Sequence, residues 1–377
     1  MKPLKPKIKE QAIVVGVKLP HQKKPICEYY LDELASLIDT AGGVVTEKIM
    51  QSLPHPDSRT YIGQGKVSEI KAILDSKKAS FVVFDDDLSP SQQRNLEKEL
   101  SAKVLDRSSI ILEIFSQRAQ TREARLQVDL AQLEYTLPRL TRMWTHLDRS
   151  GGGAGTSTKG IGETQIEVDR RLIKTKISFL KSELKKVRQI RETQRKSRSG
   201  GMNFSLVGYT NAGKSTLLQL LSSQTVYSAD KLFATLDPLT RKVFVPEMNK
   251  EVTISDTVGF IAKLPHHLIE AFKATLEEVT MADALIHVVD ISHPQYENQI
   301  EAVFRVLEDL GCATKPVFTV LNKADLLPTD QDLSEVVTKY RPAVLMSAIK
   351  KESKEKMLSA FYEFIKTQTS MTSGRPK

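Results

Sequence analysis

Gly208-Tyr209-Thr210-Asn211-Ala212-Gly213-Lys214-Ser215 is the stretch that decides the fold. It matches G-x-x-x-x-G-K-[ST], a glycine-rich turn between a strand and a helix that wraps a phosphate chain. Its flanks suit that reading. The apolar run Asn203–Val207 precedes it, and Leu217, Leu218 and Leu221 follow at helical spacing. The two glycines let backbone N–H groups point inward, and the helix N-terminus adds its positive end. Lys214 is then the residue to reach the β- and γ-phosphates, and the Ser215 hydroxyl is a ligand for Mg²⁺.

Downstream, three further motifs follow in order. Asp256-Thr257-Val258-Gly259 ends an apolar strand. An acid there holds magnesium, usually through water, and the glycine N–H touches the γ-phosphate. Asn322-Lys323-Ala324-Asp325 ends the strand predicted at Val317–Leu321. A carboxylate in that place accepts two hydrogen bonds from a guanine edge, a pair adenine does not offer, so the motif selects GTP and GDP over ATP. Ser347-Ala348-Ile349 follows the last predicted strand and supports the base with backbone contacts; without the other motifs Ser347 would read as a helix cap. Between Ser215 and Asp256 lies the threonine expected to complete the magnesium shell. Thr225, Thr235 and Thr240 are candidates, and spacing does not choose among them. Where related GTPases place a water-orienting glutamine, this chain has Phe260, which cannot orient water by hydrogen bonding. No catalytic side chain is therefore assigned beyond Lys214 as phosphate stabiliser, and slow hydrolysis that needs a partner is expected. Arg241 reads either as an arginine acting in cis or as a surface charge.

Upstream, the first 110 or so residues alternate strand-like and helix-like segments: Ala12–Val17, then Leu31, Leu34, Leu37 and Ile38 at helical spacing, Val44-Val45, a helix over Lys66–Leu74, Phe81–Phe84, a helix opened by Ser89-Pro90, and Lys103–Leu105. This pattern predicts a small parallel sheet. Next comes a heptad seam, Leu126, Leu130, Leu133, Leu137, Leu140 and Trp144, with Pro138 inside it to kink or end the helix. A second seam runs Ile173, Ile177, Leu180, Leu184 and Val187. Two seams joined by the glycine-rich Ser150–Gly162 predict an antiparallel hairpin with that loop at its tip. The loop is either a flexible linker or a probe whose backbone and Lys159 meet phosphates. The expected layout is 1–112 α/β subdomain, 113–198 hairpin, 202–368 GTP-binding domain and 369–377 tail. In fold class it is α/β, a small parallel subdomain and helical hairpin followed by a P-loop GTPase domain.

The 377 residues carry a formal charge of +9, which points to anionic partners. Between Arg170 and Arg198 twelve Lys or Arg face only Glu183 and Glu192. Acids are too scarce there for i,i+4 pairing, so the run is either a solvated face or a footprint for a phosphate backbone. No apolar run nears the roughly 18 residues that span a bilayer, which leaves peripheral association as the only membrane role. Two distant cysteines, Cys27 and Cys312, fit a reducing, cytoplasmic setting.

Specific strings then resemble a family, the HflX-type GTPases of the Obg–HflX group of translation-associated G proteins. They are Tyr61-Ile-Gly-Gln-Gly-Lys66, Leu88-Ser-Pro-Ser-Gln-Gln-Arg94, Asp106-Arg107, Gln127-Val-Asp-Leu-Ala-Gln-Leu133, Gly160-Ile-Gly-Glu-Thr-Gln165 with Asp169-Arg170-Arg171, and Leu232-Phe233-Ala234-Thr235-Leu236-Asp237. The resemblance covers nearly the whole chain. It implies that the last string is switch one, adding Phe233–Asp237 to the nucleotide site and selecting Thr235 for magnesium. It implies binding to the large ribosomal subunit, separation or rescue of stalled ribosomes, and stimulation of hydrolysis by that subunit. The hairpin then approaches ribosomal RNA, with Lys159, Arg170, Arg171 and Lys174 as candidate contacts, and a monomer is expected. Two features differ from the family pattern. Many members carry a further small C-terminal domain, whereas here a helix at Glu352–Lys366 and a polar tail close the sequence, and Ser157-Thr158 lengthen the glycine loop. The alternatives are an NTP-dependent RNA-remodelling enzyme and a GTP-regulated adaptor for another RNA.

Overall fold

A computed structural model describes residues 10–140, 159–196, 201–222, 232–265, 268, 276–328 and 333–373. The chain forms two units. One comprises Met1–Gln117 with Arg125–Lys185, and the other Arg118–Ala124 with Lys186–Lys377.

In the first unit, β1 (Gln11–Lys18), β2 (Val44–Ser52), β3 (Phe81–Phe84) and β4 (Lys103–Asp106) form a parallel sheet in the order β2-β1-β3-β4. The helices α1 (Lys24–Ala41), α2 (Gln64–Lys77), α3 (Pro90–Leu100) and α4 (Arg107–Arg118) alternate with them. β1 and β3 are almost wholly buried, as strands covered on both faces must be. At α3, the Ser89 hydroxyl accepts from the Gln92 N–H while the Gln92 side chain accepts from the Ser89 N–H. With Pro90 in the first turn, this is a capping box. Helix α4 runs through the boundary expected at 112/113.

Parallel α/β sheets bind ligands beyond the carboxyl ends of their strands. Here side chains fill that edge. Buried Arg107 bonds Asp85 at 2.7 Å and also Glu33. Arg139 reaches Asp106 at 3.1 Å and the Leu88 carbonyl at 2.9 Å, and the Tyr135 hydroxyl reaches Asp106 at 2.8 Å. Tyr135 stands near the end of α5 (Arg122–Thr136), so this network fastens that helix to the sheet.

Helix α5 stops before Pro138, and α6 is the 38-residue helix Lys159–Lys196. Leu130, Ile177, Leu180 and Leu184 form the seam between them, with Leu126, Leu133, Leu137 and Ile173 alongside. The seam is shorter than the heptads suggest. Leu140 is past the helix end, and Trp144 lies outside the described residues, as does most of the glycine loop. Lys159-Gly160-Ile161-Gly162, expected in the loop, are already helical.

In the second unit, β5 (Asn203–Gly208), β6 (Leu239–Val245), β7 (Lys250–Asp256), β8 (Ala284–Asp290), β9 (Val317–Asn322) and β10 (Ala343–Leu345) are ordered β10-β9-β8-β5-β7-β6. All neighbours are parallel except β6, which runs antiparallel to β7. The helices are α7 (Lys214–Ser222), α8 (Glu277–Met281), α9 (Tyr296–Asp309), α10 (Ser334–Lys339) and α11 (Ser353–Ser373). Helix α11 includes the first residues of the expected tail. Among the described residues no helix is long and apolar enough to cross a membrane.

Candidate nucleotide and magnesium site

All four sequence motifs follow the carboxyl ends of β5, β7, β9 and β10. A single cleft is lined by Thr210, Asn211, Gly213, Lys214, Ser215, Thr216, Phe233, Ala234, Thr235, Thr257 and Gly259. Thr216 was not anticipated from the motif. It belongs to the first turn of α7, whose amides face the cleft end of the helix.

The turn after β5 is tightly determined. Gly213 has φ +95°, and a Cβ there would lie 2.3 Å from Asn322 Nδ2. A Cβ at Gly259 would lie 2.8 Å from the backbone Cα of Thr210. Both positions exclude any side chain. The Lys214 ammonium donates to the carbonyls of Gly208 and Tyr209 at 3.2 and 2.8 Å. Burial lowers its pKa to about 8, opposed by nearby Asp256. Burial raises the Asp256 pKa, against the pull of Lys214 and hydrogen bonds from Ser215 and Thr235.

Three oxygens converge beside that lysine. Ser215 Oγ lies 2.9 Å from Thr235 Oγ1 and 2.5 Å from Asp256 Oδ2. Asp256 Oδ1 is buried with no partner among the described residues. Two hydroxyls and a carboxylate with an unused buried oxygen fit a hard divalent cation such as Mg²⁺. The geometry separates two of the candidate threonines, Thr235 and Thr240. Thr240 pairs with Ser255 at 2.9 Å between β6 and β7, and Thr225 lies outside the described residues.

Phe260 is wholly buried. Its N–H donates to Gly208 O at 3.0 Å, and Thr210 N donates to Phe260 O at 2.7 Å. The Tyr209 hydroxyl accepts from Ala262 N at 2.6 Å. The segment after Gly259 is thus zipped onto the phosphate-loop backbone, and the phenyl ring packs rather than facing the cleft. Arg241, on β6, donates to the Thr240 carbonyl and does not line the cleft.

The base end is tied to the phosphate end by one amide. Asn322 Nδ2 donates to Ala212 O at 2.9 Å, and Ala348 N donates to Asn322 Oδ1 at 2.8 Å. Lys323, at φ +63°, pairs with Asp290 at 2.6 Å. Asp325 sits in the half-exposed turn Ala324–Leu326, with Ile349 exposed in the following motif. Ser347 does not cap α11, which begins at Ser353. Its hydroxyl is buried with no partner among the described residues.

Three expected nucleotide contacts are placed differently. Leu236 and Val258 are buried and serve packing. Asp237 turns its carboxylate to the backbone of Gln120 and Thr121, because those amides and not the cleft supply its donors.

Comparisons with known proteins agree with this geometry. Family profiles described as GTP-binding GTPase N-terminal, GTP-binding GTPase Middle Region and 50S ribosome-binding GTPase match residues 28–116, 118–198 and 203–323. A GTPase HflX of Flavobacterium psychrophilum is 42% identical, covering 95% of this chain and 91% of its own. The chain belongs to the HflX family of GTPases. Another HflX, from Escherichia coli K12, is 45% identical over 84% of this chain and 74% of its own. In structure, an SsGBP–GDP complex superposes with a TM-score of 0.52 at 26% identity, covering 96% of this chain and 99% of that one. As an HflX-family GTPase, the protein binds guanine nucleotide and hydrolyses GTP.

Proposed function

We propose that the protein is a magnesium-dependent GTP switch that acts on the large ribosomal subunit, separating or rescuing stalled ribosomes. The observation that carries the switch reading is the convergence of Thr235 and Asp256 on Ser215 Oγ, at 2.9 and 2.5 Å. One of these residues comes from the phosphate loop, one from switch one and one from the strand leading into switch two. Bound magnesium supplies charge neutralisation at the β- and γ-phosphates. Ser215 and Thr235 would hold it, with Asp256 acting through water, while Lys214 would leave its two carbonyls for the phosphates and Gly259 would give its backbone to the γ-phosphate. Loss of that phosphate releases Thr235 and Gly259 together. Asn322, Lys323, Ala324 and Asp325, with Ser347–Ile349, hold guanine.

The ribosomal assignment draws on the HflX relatives and on helix α6. Its Arg170, Arg171 and Lys174 are exposed, in a run with twelve cations and two acids. Lys159 begins the same helix. Because Phe260 is packed away, hydrolysis is slow until the subunit completes the site. The test is GTP turnover with and without purified large subunits, with Lys214→Ala as the blank. Stimulation is expected. Unchanged turnover with GTP still bound would remove the ribosomal assignment.

A further inference from the structure

The segment Arg118–Ala124 opens the second family region, which spans residues 118–198, yet it belongs to the C-terminal unit. Ala119, Glu123 and Ala124 are buried. Asp237, two residues after the switch-one threonine, receives its bonds from this segment. The N–H groups of Gln120 and Thr121 donate to Asp237 Oδ2 at 3.1 and 3.2 Å. The Thr121 hydroxyl donates to Oδ1 of the same carboxylate. That hydroxyl also accepts from Ala124 N at 3.1 Å, so it caps the first turn of α5. The carboxylate therefore occupies the positive end of α5, where an anion is favoured.

We propose that Gln120 and Thr121 are positioning residues for switch one, acting through Asp237 to hold Thr235 at the magnesium site. The inference rests on the reading of Thr235 as a magnesium ligand. Between Phe233 and Asp237 the chain has few free points. Phe233 and Leu236 are buried, Thr235 meets Ser215, and Asp237 is clasped by the segment. Ordering of Thr235 by the γ-phosphate and closure of the Asp237 clasp are then one event. Because coupling between sites is reciprocal, whatever loosens the first turn of α5 weakens GTP binding. GDP, which does not need Thr235, is left unaffected. The nucleotide is in this way reported at the start of the helix that carries the hairpin seam.

The test uses the full chain with fluorescent GDP and a fluorescent non-hydrolysable GTP analogue, each titrated with Mg²⁺ and with chelator. Thr235→Ala is expected to lose analogue affinity only when Mg²⁺ is present. Asp237→Asn should show the same selective loss, about tenfold, and Thr121→Val about threefold, with the double variant no worse than Asp237→Asn alone. Thr121→Ser keeps the hydroxyl and should restore binding. Hydrogen exchange on the unmodified chain gives a second readout. The Gln120 and Thr121 amides should exchange more slowly with the GTP analogue than with GDP. If Thr235→Ala is neutral, the magnesium reading fails and this inference with it. If Thr235→Ala is selective while Asp237→Asn is neutral or weakens both nucleotides equally, the inference alone fails. It also fails if exchange of the two amides is the same with both nucleotides.

Discussion

Replacing Asn322 by alanine tests whether one buried amide holds the phosphate loop and the base loop in register. Two hydrogen bonds disappear, from Nδ2 to Ala212 O at 2.9 Å and from Ala348 N to Oδ1 at 2.8 Å. Ala212 and Ala348 are themselves buried, so water does not readily replace the lost partners. A stranded buried donor or acceptor costs about 1–3 kcal/mol; two give about 2–6 kcal/mol. For a unit of this size each kcal/mol moves the melting temperature by roughly 2–4 °C. A mid-range loss of about 4 kcal/mol therefore lowers the melting of the C-terminal unit by roughly 8–16 °C. Calorimetry of the full chain reads this directly, and a fluorescent GDP titration in parallel should show affinity reduced by about tenfold or more, the equivalent of about 1.4 kcal/mol. Asn322→Asp separates the two bonds. It keeps an acceptor for Ala348 and turns an oxygen against the Ala212 carbonyl, so it should be at least as damaging. Melting within about 1 °C of the unmodified protein, together with unchanged GDP binding, would show that the amide does not join the loops.

Asp325→Asn should weaken GTP and GDP by about 10²–10⁴-fold, because two charge-assisted hydrogen bonds of about 1.5–3 kcal/mol each are lost; an unchanged affinity in competition titrations would place guanine elsewhere. Phe260→Gln should not accelerate intrinsic hydrolysis, since residue 260 is buried and its backbone is paired on both sides. A single-turnover rate raised by tenfold or more would refute that placement. His287, on β8 beside Val207, is buried, and burial, with a smaller push from Lys214, lowers its pKa to about 3. Its unfolded value is near 6.5, so the unfolded chain binds the proton first. Stability should be intact above about pH 6.5 and fall by up to about 1.4 kcal/mol per pH unit toward pH 3. Denaturant titrations of His287→Phe, which keeps a ring against Phe304, should show a shallower acid slope. An identical slope would assign the effect to other groups.

The nucleotide motifs were legible because each is contiguous and sits where an apolar strand ends. Their order along the chain becomes proximity as soon as those strands lie parallel. What local pattern could not supply was partnership across the sheet. Nothing around Asn322 announces that its amide reaches Ala212, since the contact exists only when β9 lies two strands from β5. Spacing left Thr225, Thr235 and Thr240 equivalent, whereas β6 pairing removes Thr240 by giving it Ser255. Asp237 read as a nucleotide residue because the string that resembles the family's switch one includes it; its donors come from residues 116 and 117 positions away. In the hairpin the heptad pattern ran on through Leu140 and Trp144, but Pro138 overrode it. Helix α6 in turn began earlier than glycines at 160 and 162 suggest, because helix propensity is a weak prior at a terminus.

The placement of Arg118–Ala124 has a consequence for synthesis. The segment leaves the translating ribosome long before its partner: Asp237 lies 116 residues after Thr121. At roughly 5–20 residues per second the interval is about 6–23 s. Throughout it, Ala119 and Ala124, buried in the finished protein, belong to a unit that is still being made. The C-terminal unit thus begins before the hairpin and finishes after it, and cannot mature as one uninterrupted stretch of chain. The nascent N-terminal half must wait, with its exit point unclasped, for the nucleotide-binding half to arrive.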